Sequence, residues 1–123
     1  GVELDGVLAN TARRRLEEEL GSGEGGRKAA ATVVVGDALE ATELIRRADV
    51  ILLFLVPSCL EALAPIFKEK CKRTVRIVTY QFPLPTGWEP WATENAPHHL
   101  LGEEMAAGRT SKVFAYRLEE QTT

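Results

Sequence analysis

The chain of 123 residues has few of the features that mark special classes of protein. Its two cysteines, Cys59 and Cys71, have no other cysteine or histidine close by in sequence, which argues against a disulfide framework or a metal site. We therefore expect two reduced thiols. The longest apolar run, residues 50–57, is far too short to cross a bilayer. A net charge of -3 excludes the basic character that is typical of nucleic-acid-binding domains.

Apolar residues make up 45% of the chain, which is enough for a hydrophobic core and argues against wholesale disorder. The length fits a single domain over residues 1–123. Within it we expect a core over residues 1–91, an insertion or irregular loop over 92–110, and a final strand over 112–118.

Helix and strand signals alternate along the chain. Periodic apolar residues predict a helix over 7–20, and the glycine-rich stretch after it is typical of a linker. The continuous apolar run at 49–56 indicates a strand covered on both faces. The other expected elements are a buried strand ending at 1–5, a buried strand at 31–35, a short helix at 39–47, a helix at 58–72, and strands at 75–82 and 112–118. This order predicts an α/β fold with a mostly parallel sheet and helices on both faces.

Several finer features are predicted at the ends of these elements. Ser58 followed by Glu61 has the pattern of a capping box and is expected to start the helix at 58–72. Pro65 should bend that helix or interrupt its hydrogen bonding. We also expect a short helix at 100–107 and a frayed polar tail after Glu119.

Two acidic residues, Glu3 and Asp37, lie at the ends of consecutive predicted strands. Carboxyl ends of parallel strands form the ligand-binding edge of an open α/β sheet. A carboxylate at such an edge can accept hydrogen bonds from the two hydroxyls of a ribose or from the amine of adenine. Each residue also has a structural explanation: Glu3 can interact with the dipole of the following helix, and Asp37 can cap the next one. Together they favour a nucleoside site.

The remaining polar candidates are weaker. His98 and His99 are adjacent and have no third ligand near them in sequence, so we expect no metal site. Trp88 and Trp91 are typical of packing residues. No side chain has the pattern of an activated nucleophile, so the catalytic residue is left unassigned.

Four segments together carry a family resemblance: GVELD at residues 1–5, VVGDA at 34–38, ADVILLFLVP at 48–57 and RIVTYQFPLPTGWEP at 76–90. Their order and spacing resemble those of S-adenosylmethionine-dependent methyltransferases with a seven-stranded Rossmann-like fold. Among these, the chain is most similar to the small mitochondrial-type protein-lysine N-methyltransferases that modify the adenine nucleotide translocase or ATP synthase subunit c. The resemblance covers nearly all of residues 1–91, and 112–118.

The resemblance implies S-adenosylmethionine as the cofactor and assigns a binding role to two pairs of residues. Glu3 matches the acidic residue that binds the ribose hydroxyls, with Leu4 beside the adenine or ribose. Asp37 matches the acidic residue near the adenine amine, with Ala38 giving a backbone contact. No metal is implied.

For the methyl acceptor, the resemblance points to two later segments. Val56 and Pro57 match the segment after a strand where the family places the methyl group and its acceptor. Phe82 and Trp88 match an aromatic segment that shapes the acceptor channel. The implied partner is a protein substrate that offers a lysine side chain, with no nucleic acid, in mitochondria or cytoplasm.

The chain also departs from the family pattern. The family has a first strand and a glycine-rich loop before the acidic residue that Glu3 matches, and neither occurs in residues 1–123. We therefore expect a chain truncated at its N-terminus that binds S-adenosylmethionine poorly by itself, with membrane association possible only through a segment upstream.

Two other functions stay open at this point. A nicotinamide-dependent Rossmann enzyme shares the acidic residue at the end of the second strand, although the segments at 55–57 and 88–91 argue against it. The absence of the glycine-rich loop from these residues also suits a cofactor-free pseudoenzyme or interaction module.

Overall fold

The computed structural model describes residues 1–20, 31–97 and 110–121. Its elements, in chain order, are β1 (Val2–Glu3), α1 (Gly6–Leu20), β2 (Val34–Val35), a 3-10 turn (Ala38–Glu40), α2 (Thr42–Arg47), β3 (Val50–Leu53), α3 (Pro57–Lys70), β4 (Arg76–Tyr80), β5 (Ala92–Pro97), β6 (Thr110–Arg117) and a second 3-10 turn (Leu118–Glu120). They form two compact units, residues 1–42 and 43–123.

Some predictions fall outside the described residues. These are the glycine-rich linker at 21–26, the helix at 100–107, and the two adjacent histidines, His98 and His99. The expectation of one domain over the whole chain stays a prediction. No helix in the described part of the chain is long and apolar enough to cross a membrane.

The first unit consists of the parallel strands β1 and β2 together with α1. Val2 pairs with Val34, and Glu3 pairs with Val35. The predicted helix at 7–20 is confirmed, beginning one residue earlier at Gly6. Asp5 caps it, because its Oδ1 accepts hydrogen bonds from the backbone N–H groups of Val7 at 2.8 Å and Leu8 at 3.3 Å.

The prediction of a buried strand at 31–35 is wrong in part. Only Val34 and Val35 are in the strand, and both side chains are exposed. In the described residues, strand β2 pairs with β1 alone. A sheet of only two strands offers little surface for other elements to pack on, so its side chains stay exposed.

The second unit is built on a four-stranded sheet with the order β3-β4-β6-β5. Strands β3 and β4 are parallel, whereas β6 runs antiparallel to both β4 and β5. The core contains fully buried side chains from α3, β4 and β6 and from the residue before β4: Leu60, Leu63, Phe67, Val75, Ile77, Thr79 and Tyr116. The predicted strand at 112–118 is confirmed as β6, and the one at 75–82 is confirmed as β4 over Arg76–Tyr80 only.

Residues 92–97 form a strand, β5, where the sequence predicts an insertion or irregular loop. Its pairing with β6 runs from Ala92 opposite Ala115 to Pro97 opposite Thr110. The segment ATENAP has no alternation of apolar and polar residues, so it gives no strand signal by itself. Backbone hydrogen bonds to β6 make it a strand.

The expectation that residues 49–56 are covered on both faces is wrong. The strand is limited to Val50–Leu53, and the side chains of Val50, Leu52, Phe54 and Val56 are all at least half exposed. Successive side chains of an extended chain point to opposite faces, so one face of this segment is exposed and the other is half-buried.

The predicted start of α3 at Ser58 is also wrong. Val56 is the N-cap and Pro57 is the first helical residue. Proline is favoured there because its φ angle already suits a helix and its missing N–H is not needed. With Ser58 inside the first turn, Glu61 forms no capping box, and the helix continues through the exposed Pro65 to Lys70.

Replacing Pro65 with alanine is expected to increase the free energy of unfolding by about 1–3 kcal/mol, since proline inside a helix lacks one N–H donor and clashes with the preceding turn. Urea denaturation followed by circular dichroism measures the change. Glu61→Ala is the control, with a change of less than about 0.5 kcal/mol, because no capping box is lost. A large loss in that control would contradict the helix start at Pro57.

Candidate functional site

The pairing of β1 with β2 determines where the two predicted acidic ligands lie. Beyond the paired residues Glu3 and Val35, the N–H of Gly36 donates to the carbonyl of Glu3 at 3.0 Å. Asp37 follows directly. Because the strands are parallel, Glu3 and Asp37 both lie at the carboxyl edge of this small sheet, as the sequence predicts.

The side chain of Glu3 is half-buried and makes one hydrogen bond to the described part of the chain. Its Oε1 accepts from the N–H of Asp5 at 3.2 Å. An ionised carboxylate has about four lone-pair sites, so this bond orients the side chain and leaves it able to accept further hydrogen bonds. The neighbouring Leu4 is 72% exposed and offers an apolar surface at the same edge.

Asp37 caps the 3-10 turn that follows β2. Its Oδ1 accepts from the N–H of Leu39 at 2.9 Å, and its side chain is exposed. The capping role considered from the sequence is therefore real. It is compatible with ligand binding, because Oδ1 makes the capping bond and Oδ2 can still accept a hydrogen bond from a ligand. Ala38, the first residue of the turn, is half-buried, and its carbonyl accepts from the N–H of Ala41 at 3.1 Å.

Arg13 of α1 holds the entry to β2, a contact that the sequence pattern does not reveal. Its Nε and Nη2 donate to the carbonyl of Val33 at 3.1 and 2.7 Å, and its Nη1 donates to Asn10 Oδ1 at 3.1 Å. In sequence, Arg13 belongs to a charged run with the pattern of a solvated helix face. The partner is a backbone carbonyl 20 residues away, so no local periodicity signals it.

The predicted acceptor residues lie at the corresponding edge of the second unit. Val56 and Pro57 follow β3, and Phe82 follows β4, its parallel neighbour. The rings of Phe54 and Tyr80, at the ends of these strands, contact each other edge to face with centroids 5.0 Å apart. Val56 and Pro57 are exposed and Phe82 is half-buried.

Residues 81–91, here called the post-β4 segment, are irregular, although the sequence predicts a strand as far as residue 82, and β6 holds them in place. Tyr116 Oη accepts from the N–H of Leu84 at 2.9 Å inside the core. Trp88 is buried, lies edge to face with the Tyr116 ring at 6.1 Å, and has Lys68 Nζ 5.1 Å from its own ring. Trp88 therefore anchors the post-β4 segment by packing against Tyr116 of β6. Its proposed part in an acceptor channel stays a prediction.

A tight turn brings Trp88 back to this position. The N–H of Trp88 donates to the carbonyl of Pro85 at 3.1 Å, and Gly87 between them has a φ of 103°. That angle is in the region that glycine adopts at low cost and other residues avoid. The glycine in the sequence PTGW is therefore required by the turn.

Gln121 fastens the far end of the post-β4 segment. Its Oε1 accepts from the N–H of Glu89 at 2.7 Å, and its Nε2 donates to the carbonyls of Glu89 at 2.9 Å and Arg117 at 3.0 Å. The expectation of a frayed tail after Glu119 is wrong at this residue, which is buried. A primary amide carries both a donor and an acceptor, so it pairs with a peptide group as a neighbouring strand would.

The cation of Arg117 stacks on the exposed ring of Trp91, with its guanidinium carbon 3.9 Å from the ring centroid. The N–H of Trp91 donates to the carbonyl of Ala115 at 2.7 Å. Expected from the sequence to be a packing residue, Trp91 is instead half-exposed, and its contact with Arg117 is a cation–π interaction.

Two groups have raised pKa values, both because of burial. Burial raises the pKa of the Cys71 thiol to about 11, so this cysteine stays protonated and unreactive near neutral pH. Burial also raises the pKa of Tyr116, against the opposing effect of the hydrogen bond from Leu84. Both cysteines are free thiols, as expected.

Gln121→Ala is expected to lower the free energy of unfolding by about 1–3 kcal/mol, because three hydrogen bonds are lost and the peptide of Glu89 is left without its partner. Chemical denaturation measures the loss. Gln121→Glu keeps the acceptor but places a carboxylate oxygen against the carbonyls of Glu89 and Arg117, so it should be destabilised at least as much as the alanine variant. Equal stability of all three proteins would contradict the role of Gln121.

Comparison with solved structures identifies the fold. The chain is similar to an RNA methyltransferase from Salinibacter ruber in complex with S-adenosyl-L-homocysteine, with 25% sequence identity and a TM-score of 0.73, over 100% of this chain and 67% of that one. It is also similar to precorrin-8W decarboxylase from Methanobacterium thermoautotrophicum, with 19% identity and a TM-score of 0.58, over 94% of this chain and 67% of that one.

No protein-family model matches the chain, and no curated protein matches it. The structural similarities nevertheless extend over 94–100% of the chain. The chain therefore has an α/β, Rossmann-like methyltransferase fold, which confirms the fold class predicted from its sequence.

Proposed function

We propose that the protein is a methyltransferase that takes its methyl group from S-adenosylmethionine. The observation that carries the proposal is the parallel pairing of β1 and β2, which brings Glu3 and Asp37 to one sheet edge. The Salinibacter ruber neighbour, crystallised with S-adenosyl-L-homocysteine, supports the same cofactor. Open α/β sheets bind their ligands outside the carboxyl ends of the strands.

The residues at this edge suit the nucleoside part of the cofactor. Glu3, held by the N–H of Asp5, has lone pairs left to accept hydrogen bonds from both ribose hydroxyls. Asp37 has an oxygen beyond its cap to accept from the adenine amine, and Ala38 offers backbone groups beside it. The exposed Leu4 provides an apolar contact for the base or sugar.

When bound, the cofactor supplies a methyl group that is already activated by its positive sulfur. The protein then has to orient the acceptor and exclude water, which needs alignment rather than a nucleophile of its own. For this reason we assign no catalytic nucleophile. Val56, Pro57 and Phe82, at the carboxyl edge of β3 and β4, are the residues proposed to bind the acceptor, together with Trp88 of the post-β4 segment.

The proposed acceptor is a lysine side chain of a protein, as the family resemblance implies. A net charge of -3 and a pI near 5.5 disfavour a polyanionic substrate, because phosphate contacts supply most of the affinity for nucleic acids. The Salinibacter ruber neighbour is an RNA methyltransferase. RNA is therefore the alternative acceptor that the experiment has to distinguish from protein lysine.

The cofactor assignment is tested with variants that separate binding from folding. In the full-length protein, Glu3→Ala and Asp37→Asn should each weaken S-adenosylhomocysteine binding about tenfold or more, since a tenfold change corresponds to about 1.4 kcal/mol and one or two hydrogen bonds. Asparagine still caps a helix, so Asp37→Asn should leave the melting temperature unchanged while presenting an amide to the adenine amine. Isothermal titration calorimetry and thermal melting give the two measurements.

Glu17→Ala, a change on the exposed surface of α1, is the matched control and should bind as the original protein does. Normal binding by Glu3→Ala would disprove the ribose assignment. Thermal melting in the presence of NAD tests the nicotinamide alternative. A nicotinamide-dependent enzyme would have a higher melting temperature with NAD and an unchanged one with S-adenosylhomocysteine. Stabilisation by neither ligand would favour the interaction module.

The acceptor class is tested by incubating the protein with S-adenosylmethionine labelled in its methyl group, and with separate protein and RNA fractions of a cell extract. We expect label in the protein fraction, on lysine after acid hydrolysis, and none in the RNA fraction beyond a heat-inactivated control. Labelled RNA with unlabelled protein would replace the lysine proposal and keep the methyltransferase one.

A further inference from the structure

Gln81, the first residue after β4, has an unusual backbone conformation. Its φ of 74° makes it the one non-glycine residue with a positive φ in the described part of the chain. Residues with a Cβ avoid this region because the Cβ approaches the backbone too closely, whereas glycine adopts it readily. The conformation is nevertheless fixed, since the N–H of Gln81 donates to the carbonyl of Lys112 on β6 at 2.7 Å.

The side chain of Gln81 gives no structural reason for keeping glutamine at this position. It is exposed, and its amide makes no hydrogen bond to any described residue. Glycine would meet the backbone requirement at lower cost. A non-glycine residue in this region is a strained backbone position, and such positions cluster at active sites and ligand-binding segments.

The position of Gln81 suggests what that function is. It lies at the carboxyl end of β4, next to the parallel strand β3 whose carboxyl end leads into Val56 and Pro57. Leu53, the last residue of β3, is paired with Thr79, the next to last residue of β4. The two strands therefore end side by side at the carboxyl edge of the sheet. The bond to Lys112 and the bond between Leu84 and Tyr116 hold the segment on either side of Phe82.

We propose that Gln81 binds the methyl acceptor, its side-chain carbonyl accepting a hydrogen bond from an N–H of the amine that is methylated. This inference rests on the proposed function and extends it to a residue that neither the sequence pattern nor the resemblance singles out. The positive φ changes the direction of the chain directly after β4, at the carboxyl edge of the sheet.

The chemistry of the step explains why a neutral amide suits this place. The lysine ammonium first loses a proton to water, and the neutral amine then forms a nitrogen–carbon bond as the carbon–sulfur bond of the donor breaks. The sulfur keeps the electron pair, and the product is a methylammonium. The attacking amine must be neutral, with its lone pair facing the methyl group. An amide carbonyl holds an N–H of the neutral amine, whereas a carboxylate favours the charged ammonium form, which has no lone pair.

Gln81→Gly separates strain from function. Removing the Cβ should raise the melting temperature by about 2–5 °C, as the backbone is relieved of strain. The same change should reduce the initial rate of methyl transfer to the protein fraction about tenfold, the effect of losing one oriented hydrogen bond. The dissociation constant for S-adenosylhomocysteine should stay within about twofold, because the donor is proposed to bind at Glu3 and Asp37. A protein that is more stable but slower cannot be explained by a structural role.

Two further variants sharpen the test. Gln81→Glu should shift the pH optimum of transfer upward by roughly one unit, because the negative charge raises the pKa of the bound amine. Thr86→Ala, an exposed change on the same segment, is the matched control and should leave rate, pH profile and stability unchanged.

The outcomes distinguish failure of this inference from failure of the proposed function. If the original protein binds S-adenosylhomocysteine and transfers methyl groups, and Gln81→Gly is as fast, Gln81 has no acceptor role. If Gln81→Gly loses S-adenosylhomocysteine binding as well as rate, the residue acts on the donor and the inference is wrong. If the original protein neither binds nor transfers, the proposed function fails and this inference fails with it.

Discussion

The second unit depends on the interactions made by strand β6. On one side β6 pairs with β4 and on the other with β5, so its backbone joins the sheet. Its side chain Tyr116 and the nearby Gln121 then hold the irregular residues 81–91, through a buried hydroxyl at one end and a primary amide at the other. A segment rich in proline has few N–H donors for secondary structure, and these side-chain bonds replace what a strand ladder would supply.

This constraint bears on the proposed function, because a binding site that is already ordered loses less conformational entropy when its ligand binds. In each unit a pair of parallel strands brings its carboxyl ends together, β1 with β2 and β3 with β4. Short polar contacts then orient the residues that follow: Asp5 with Glu3, the 3-10 turn with Asp37, and Lys112 with Gln81. A structural contact and a binding role are compatible in such residues, since a carboxylate accepts several hydrogen bonds.

Much of the fold is predictable from local pattern. The helix over 7–20 follows from its apolar period, and the strands at 75–82 and 112–118 follow from short apolar runs. Where prediction failed, the deciding interaction was not local. Strand β5 has a polar sequence and exists through its pairing with β6, and one face of β3 is exposed although its run of residues is apolar throughout. Ser58 fits a capping box, but Pro57 occupies the first turn.

The sequence by itself determined the α/β class and the position of Glu3 and Asp37 at the ends of two strands, because periodicity and the residues at strand ends are local features of the chain. The acceptor segments rest on the family resemblance and stay a prediction. Only the tertiary structure decided how these segments are held: Arg13 on the Val33 carbonyl, Gln121 on the Glu89 peptide, and the left-handed conformation of Gln81. Each of these depends on a hydrogen bond between residues 20 or more positions apart, or on a dihedral angle that such a bond maintains, and neither leaves a periodic trace in the sequence.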